Sequence, residues 1–229
     1  MKPSHEPLIT KIGYPIMKLF APLVRMLWIS EVHGLEHIPR QGPCLVASNH
    51  ESHFDFILFT AAVDRKIHYL AAEKYFEHPI WKWVLSFMGC IRVDRYSAMN
   101  VRAYKEITRV VKQGRLIGIF PEGTRSPNGK LMKAKNGVAH LAIKSGLPVI
   151  PVGMRGTWEI MSSREKKPKM RKASIHIGEP LRFDNLKDQH PDEELLKQTT
   201  DTIMLRIAEL TGEKYPYAGH YKASKEKTS

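Results

Sequence analysis

CLVASNHESHFDFIL, residues 44–58, sets how the chain is read. An apolar run, Cys44-Leu45-Val46-Ala47, is followed by two histidines, a glutamate and an aspartate within seven positions, and then by a second apolar run. The first run reads as a buried strand. Ser52-x-x-Asp55 ahead of Phe56-Ile57-Leu58 is a capping-box pattern and reads as the start of a helix. Strand, polar loop and helix in that order point to an α/β arrangement.

The same alternation continues outward. Strands are expected at 43–48, 68–73, 90–94, 116–120, 148–153 and 173–178, and helices at 54–64, 98–113, 134–145 and 191–211. Helix 98–113 places Val101, Tyr104, Ile107 and Val111 on one face and stops at Gly114, while 134–145 stops at Gly146. The last helix opens with Asp192-Glu193-Glu194, an acidic first turn that complements the helix dipole. The expected fold is α/β: a single central mixed β-sheet flanked by helices, preceded by an N-terminal amphipathic helical segment. The expected division is 1–32 for that segment, 33–212 for the main domain and 213–229 for a C-terminal tail.

A chain of 229 residues with 42% hydrophobic and 26% charged residues can bury one substantial core and is neither disordered nor multi-spanning. Thirty-six Lys and Arg against 23 Asp and Glu leave a net charge of +13, which favours anionic partners. Cys44 and Cys90 lie in separate apolar runs, as buried thiols of a reducing compartment do, and form no zinc-binding pattern. No signal peptide is evident.

Residues 12–29, IGYPIMKLFAPLVRMLWI, are apolar but interrupted by Lys18 and Arg25. Lys11, Lys18 and Arg25 recur every seven residues and return to nearly one helix face. Pro15 suits a helical first turn, whereas Pro22 is expected to kink or split the helix. Such a segment could lie in a bilayer interface with its cations toward lipid phosphates, or pack on the protein's own core. We expect the former: a monotopic or peripheral attachment to an anionic membrane surface, on the cytoplasmic side.

His50 and Asp55 are five residues apart, about 140° on a continuous helix, so they meet only if His50 stays on the loop while Asp55 enters the helix. A carboxylate there could hold one imidazole nitrogen and leave the other as a base, and imidazole's ordinary pKa of about 6.5 suits proton transfer near neutrality. The competing reading is a plain cap. A metal site would require His50, His53 and Asp55 to ligate within one turn, which is strained, and no metal is expected. His140 and His176 sit in apolar patterns and read as packed. Downstream, Phe120-Pro121-Glu122-Gly123-Thr124-Arg125-Ser126 follows a strand, where α/β sheets hold ligands. Gly123 permits close backbone approach, Arg125 offers a planar fork that matches phosphate, and Glu122 is expected to fix Arg125 or another donor.

Together these two stretches resemble the glycerophosphate acyltransferase family, with its N-H-x4-D and F-P-E-G-T-R-S blocks; the 1-acylglycerol-3-phosphate acyltransferases are the most similar branch. Gly89-Cys90-Ile91-Arg92-Val93-Asp94-Arg95 and Val149-Ile150-Pro151-Val152-Gly153 resemble its second and fourth blocks. Arg92 stands where that pattern is usually apolar. The resemblance implies acyl transfer from an acyl thioester, either acyl-CoA or acyl carrier protein, to a lysophospholipid, with no other cofactor. It further implies His50 as base, Asp55 as its orienter, and Arg125, Arg95, Glu122 and Gly123 around the acceptor phosphate. Val149, Ile150 and Pro151 would line the acyl path. The run Arg164–Lys172 could grip headgroups or the carrier's phosphates, or be a solvated loop. The acceptor implied is the sn-2 hydroxyl of 1-acylglycerol-3-phosphate, and the first alternative is a related acyltransferase acting on another lysolipid. A metal-dependent hydrolase and a basic nucleic-acid-binding module are further alternatives; no groove-entering helix or aromatic platform supports the latter, so no nucleic-acid partner is expected.

Overall fold

The computed structural model describes residues 8–94, 101–187 and 190–219. Helix α1 (Leu8–Trp28) runs without a loop into β1 (Ile29–His33). Then follow β2 (Cys44–Ser48), α2 (Phe54–Ala62), β3 (Ile67–Ala72), α3 (Lys74–Glu77), α4 (Pro79–Met88) and β4 (Ile91–Val93). The second half contains α5 (Val101–Lys112), β5 (Leu116–Ile119), α6 (Gly137–Ser145), β6 (Val149–Arg155), α7 (Thr157–Ile160), β7 (Ala173–Ile177) and α8 (Glu193–Thr211).

The strands form one mixed sheet in the order β1-β7-β6-β2-β5-β3-β4. Every neighbouring pair is parallel except β6 and β7, which run antiparallel. Strand β2 is central and buried along its whole length, as its continuous apolar run requires. Its alternate residues feed two cores: Cys44 and Val46 pack toward α2, while Leu45 and Ala47 pack toward α5, α6 and α8. From β2 the chain crosses to β3, beyond β5; from β5 it crosses back to β6, beyond β2. These connections diverge from two adjacent parallel strands, which opens a crevice at their carboxyl ends. The polar cluster 49–55 and the loop 120–126 both leave the sheet there.

Three elements depart from the sequence reading. Strand β1 straddles the boundary drawn after residue 32 and pairs with β7; no turn residue separates it from α1, so nothing in the sequence announces it. Residues 74–88, given no helix by the sequence reading, fold into α3 and α4, with Pro79 in the first turn of α4 and Gly89 closing it in the left-handed conformation. Helix α1 is continuous through Pro15 and Pro22, both exposed.

The polarity of α1 is also the reverse of the expected one. Lys18 Nζ donates to the Thr60 and Val63 carbonyls at 3.2 and 2.8 Å, and Arg25 donates to the Ala62 carbonyl at 2.9 Å. These are the unpaired carbonyls at the end of α2, the negative pole of its dipole, and they draw the two cations inward. Apolar side chains point out instead: Leu8, Leu19 and Met26 are 72%, 76% and 64% exposed.

Helix α1 crosses α4 at Gly13, where a Cβ would stand 2.5 Å from both Phe87 Cγ and the Phe87 carbonyl oxygen. Gly13→Val is therefore expected to unseat α1 and lower stability by about 1–3 kcal/mol. The readouts are thermal melting and faster proteolysis within residues 8–28. An unchanged melt would show that α1 is not held on α4.

Candidate active site

Residues 49–55 are placed by hydrogen bonds that only this loop can make. Asn49 extends the β2–β6 ladder past Ser48: its Oδ1 accepts from Met154 N–H and its Nδ2 donates to the Met154 carbonyl, both at 2.8 Å. The next residue, His50, is thereby held on the loop while Asp55 enters the first turn of α2. One carboxylate oxygen of Asp55, Oδ2, accepts from three donors: His50 Nδ1 at 2.7 Å, Glu51 N–H at 2.8 Å and Ser52 N–H at 2.9 Å. Half of a capping box is present in this, since Asp55 reaches back to Ser52 N–H. Ser52 Oγ accepts from Phe54 N–H at 3.0 Å rather than from the N–H of Asp55. The cap and the catalytic-type pair are the same carboxylate. Because Nδ1 donates to Asp55, Nε2 of His50 carries the lone pair.

The second motif clamps the first. Glu122 Oε1 accepts from His50 N–H at 2.9 Å, and Ser126 N–H donates to the His50 carbonyl at 2.7 Å. Phe120 stacks on the imidazole, with centroids 4.0 Å apart and planes 14° from parallel. His50 is thus fixed through its ring nitrogen, its ring face and both of its backbone polar groups. Sequence reading expected Glu122 to fix Arg125 or another donor, and the resemblance put it around the acceptor phosphate. The donors it holds are backbone N–H groups, that of His50 and, through Oε2, that of Met132 at 2.9 Å; the residue is 3% exposed, which corrects its place at the phosphate. It joins two loops and does not line the cavity.

That cavity has a volume of about 480 Å³ and opens at the carboxyl ends of β2, β3 and β5. His50, His53, Gly123, Arg125, Lys135 and His140 form its polar wall. Leu70, Ala71, Tyr75, Trp81, Leu85 and Val93 form much of its apolar wall. Arg125 is half-buried and meets no carboxylate in an ion pair among the described residues. Burial first, and then the Arg125 charge, depress the pKa of His53 to about 4, so its ring is neutral near pH 7 and stacks on Trp81 at 4.6 Å. His53 turns to Trp81 rather than toward His50 and Asp55. Among the described residues no group of three His, Cys, Asp or Glu side chains is placed to hold a metal.

Val149, Ile150 and Pro151 are buried within β6, between β2 and β7, and line no part of the cavity. The apolar wall is built instead from β3, α3, α4 and β4, because the apolar residues of β6 are spent on the two cores. Arg95 lies outside the described residues. Arg92 bonds Glu73 at 3.2 Å and covers the Phe76 ring at 4.8 Å, away from the cavity lining. His140 faces the cavity rather than the core, and His176 stacks on His33. Cys90 borders the cavity, but burial pushes its thiol up to about 12, which leaves it no nucleophile.

Sequence reasoning missed the strap that presents Lys135. Residues 131–135 belong to no helix or strand, and side chains and one backbone carbonyl satisfy their N–H groups. Leu131 N–H donates to Glu213 Oε2 at 2.9 Å, Ala134 N–H to the Tyr215 hydroxyl at 3.1 Å, and Lys135 N–H to the Pro121 carbonyl at 2.9 Å. The expected tail thus begins as a structural element, with Tyr215 buried. The tyrosines just beyond the helix-ending Gly212 carry this in the sequence, as aromatic side chains that could pack back, and Tyr215 does so.

Glu51 lies behind the His50–Asp55 pair, 5% exposed, and accepts from Asn49 Nδ2 at 2.8 Å. Burial, reinforced by the Asp55 charge, pushes its pKa up to about 9. A carboxyl whose folded pKa exceeds its unfolded value binds its proton more tightly when folded. The associated stability is complete below pH 4.5 and is lost as pH rises toward 9. Glu51→Gln should therefore flatten the decline of melting temperature between pH 5 and 9 and raise the midpoint most at the alkaline end. Parallel curves for the two proteins would contradict a neutral Glu51.

The chain matches the Acyltransferase family over residues 29–155. A 1-acyl-sn-glycerol-3-phosphate acyltransferase of Bacillus subtilis is 30% identical over 187 residues, covering 79% of this chain and 87% of that protein. A chloroplastic 1-acyl-sn-glycerol-3-phosphate acyltransferase of Brassica napus is 32% identical over 154 residues, covering 66% of this chain and 44% of that protein. The chain spans about half the length of that relative and of its counterparts in Arabidopsis thaliana and Pseudomonas aeruginosa, at 44%, 47% and 48%. In three dimensions it is similar to the crystal structure of the 1-acyl-sn-glycerophosphate acyltransferase PlsC from Thermotoga maritima. That likeness has a TM-score of 0.68 and 27% identity, and covers 90% of this chain and 83% of that one. With the family matched over more than half of its 229 residues, and with both motif loops joined around one histidine, this chain belongs to the Acyltransferase family.

Proposed function

We propose that the protein transfers a fatty acyl group from an acyl thioester, acyl-CoA or acyl carrier protein, to the sn-2 hydroxyl of 1-acylglycerol-3-phosphate, giving phosphatidic acid. The observation that carries this reading is the His50–Asp55 pair at one wall of a cavity that also holds Arg125. His50 Nε2 takes the hydroxyl proton as the oxygen attacks the thioester carbonyl. The tetrahedral intermediate then collapses, the C–S bond breaks, and the imidazolium returns the proton to the leaving thiolate. Asp55 fixes the ring and balances the positive charge that forms on it. Arg125, with Lys135 lying over Gly123, is the cationic end that would take the phosphate. Anchoring the phosphate there holds the hydroxyl at the base, where restricted orientation lowers the barrier. The apolar wall would receive acyl chain. The reaction needs no acyl-enzyme and no cofactor beyond its thioester co-substrate.

The names of the relatives support the acceptor, and the cavity's mixture of cationic and apolar walls suits a lysolipid phosphate. No helix among the described residues is long and apolar enough to cross a membrane. The outward apolar face of α1, with Ile80 and Trp83 of α4 at 68% and 58% exposure, supports attachment to one leaflet, which we place on the cytoplasmic side.

The direct test incubates the purified protein with acyl-CoA and a panel of lysolipids, following thiol release and product mass. Lysophosphatidate is expected to be the preferred acceptor; thiol release without acylated lipid would refute the reading. His50→Ala should reduce kcat by about 10²–10⁴-fold at an unchanged melting temperature. Arg125→Ala is expected to raise KM for the lysolipid about tenfold or more while leaving KM for the thioester nearly unchanged. An unaltered lysolipid KM would remove Arg125 from the phosphate site.

A further inference from the structure

Strands β1 and β7 run opposite to β6 and β2, so their amino ends share an edge with the carboxyl ends of β2, β5 and β6. The loop between α7 and β7 therefore lies along the edge of the sheet that carries His50. It is tied there at several points. Ser52 Oγ donates to the Met161 carbonyl at 2.6 Å, Lys169 N–H to the Ile160 carbonyl at 2.8 Å, and Trp28 Nε1 to the Lys169 carbonyl at 3.1 Å. The last bond joins the loop to the end of α1, beside the exposed Met26. Its one acid, Glu165, is taken by an ion pair to Lys169. Arg164, Lys166, Lys167, Arg171 and Lys172 are left exposed around Met170, itself 69% exposed. Five cations and an apolar side chain thus stand beside the end of α1, on the edge of the sheet that carries His50.

We propose that residues 162–172 bind anionic headgroups and seat the catalytic edge of the sheet on a negatively charged bilayer. This inference rests on reading the site as one that takes its acceptor from a membrane. An apolar helix face alone would adhere to any leaflet. The cations beside it select an anionic one and set which edge of the molecule faces it, the arrangement by which basic segments hold proteins at membranes. The loop is pinned to the loop that carries His50 through Ser52, so its contact with the surface orients the cavity mouth as well.

The test compares the whole chain with the variant Lys166→Gln, Lys167→Gln, Arg171→Gln, Lys172→Gln. Binding is measured by co-sedimentation with vesicles of phosphatidylcholine alone or mixed with phosphatidylglycerol. A cation at an anionic surface is worth roughly a fivefold gain in affinity. The wild type should prefer the mixed vesicles, in a salt-sensitive way, and the variant should lose about 50-fold or more on them. Its weaker binding to phosphatidylcholine should persist, with melting temperature unchanged. A retained preference for phosphatidylglycerol in the variant, or no preference in the wild type, overturns the proposal. Kinetics in neutral-detergent micelles form the second arm. A raised KM for acyl-CoA in the variant there would assign the loop to the phosphates of the donor instead and also overturn it. Absence of any acyl transfer by the wild type in micelles would count against the enzymatic reading, whereas the vesicle measurement needs no turnover.

Discussion

On Asp55 Oδ2 the imidazole of His50 and the backbone N–H groups of Glu51 and Ser52 converge, and the rest of the site is arranged around that point. One atom does three things. It closes the first turn of α2, it curls residues 50–52 into a tight loop, and it fixes the tautomer of the histidine. The side chain is almost completely buried, so water cannot replace any of these donors. The other oxygen, Oδ1, is buried without a hydrogen-bond partner, so the whole hold of this carboxyl on the loop runs through Oδ2. Starting a helix and orienting the His50 imidazole are consequently one structural requirement here.

The sheet contributes by bringing a second, distant segment against the first. Strands β2 and β5 are adjacent and parallel, so loops 70 residues apart leave side by side. Glu122 and Ser126 then bond the two backbone polar groups of His50, and Phe120 covers its ring. This division of labour explains why the Glu122 carboxyl is buried: it holds the main chain of His50, while Phe120, Pro121, Gly123 and Arg125 of the same motif line the cavity. Behind it, residues 131–135 hang between Glu122, Pro121 and the C-terminal strap of Glu213 and Tyr215. The cationic wall is positioned by the loop after β5 and by the segment that follows α8.

Helix α1 shows how a neighbour can reverse the meaning of an amphipathic pattern. Its cations recur as an interfacial helix would have them, yet Lys18 and Arg25 meet the open carbonyls of α2. Charged donors on helix-end carbonyls form charge-assisted bonds that do not require a membrane. The apolar side chains are thereby turned outward, on a helix packed against α2 and α4. Domain packing uses the basic face of this segment and leaves its apolar face exposed, so it does not compete with the lipid contact proposed above.

The sequence determined the class of the fold and the identity of the central pair. Period and length of the apolar runs placed six of the seven strands. The spacing of His50 and Asp55 across a helix start allowed only one way for them to meet. These are local properties, set by chain geometry within about a turn or a strand. Tertiary structure decided what local rules cannot express: that Glu122 faces inward, that β6 fills the cores while β3, α3 and α4 line the cavity, and that β1 joins the sheet. Each of these depends on which distant backbone group or apolar surface lies opposite. The reach of a side chain is short-range in space and blind to sequence separation, so only the folded chain could assign it a partner.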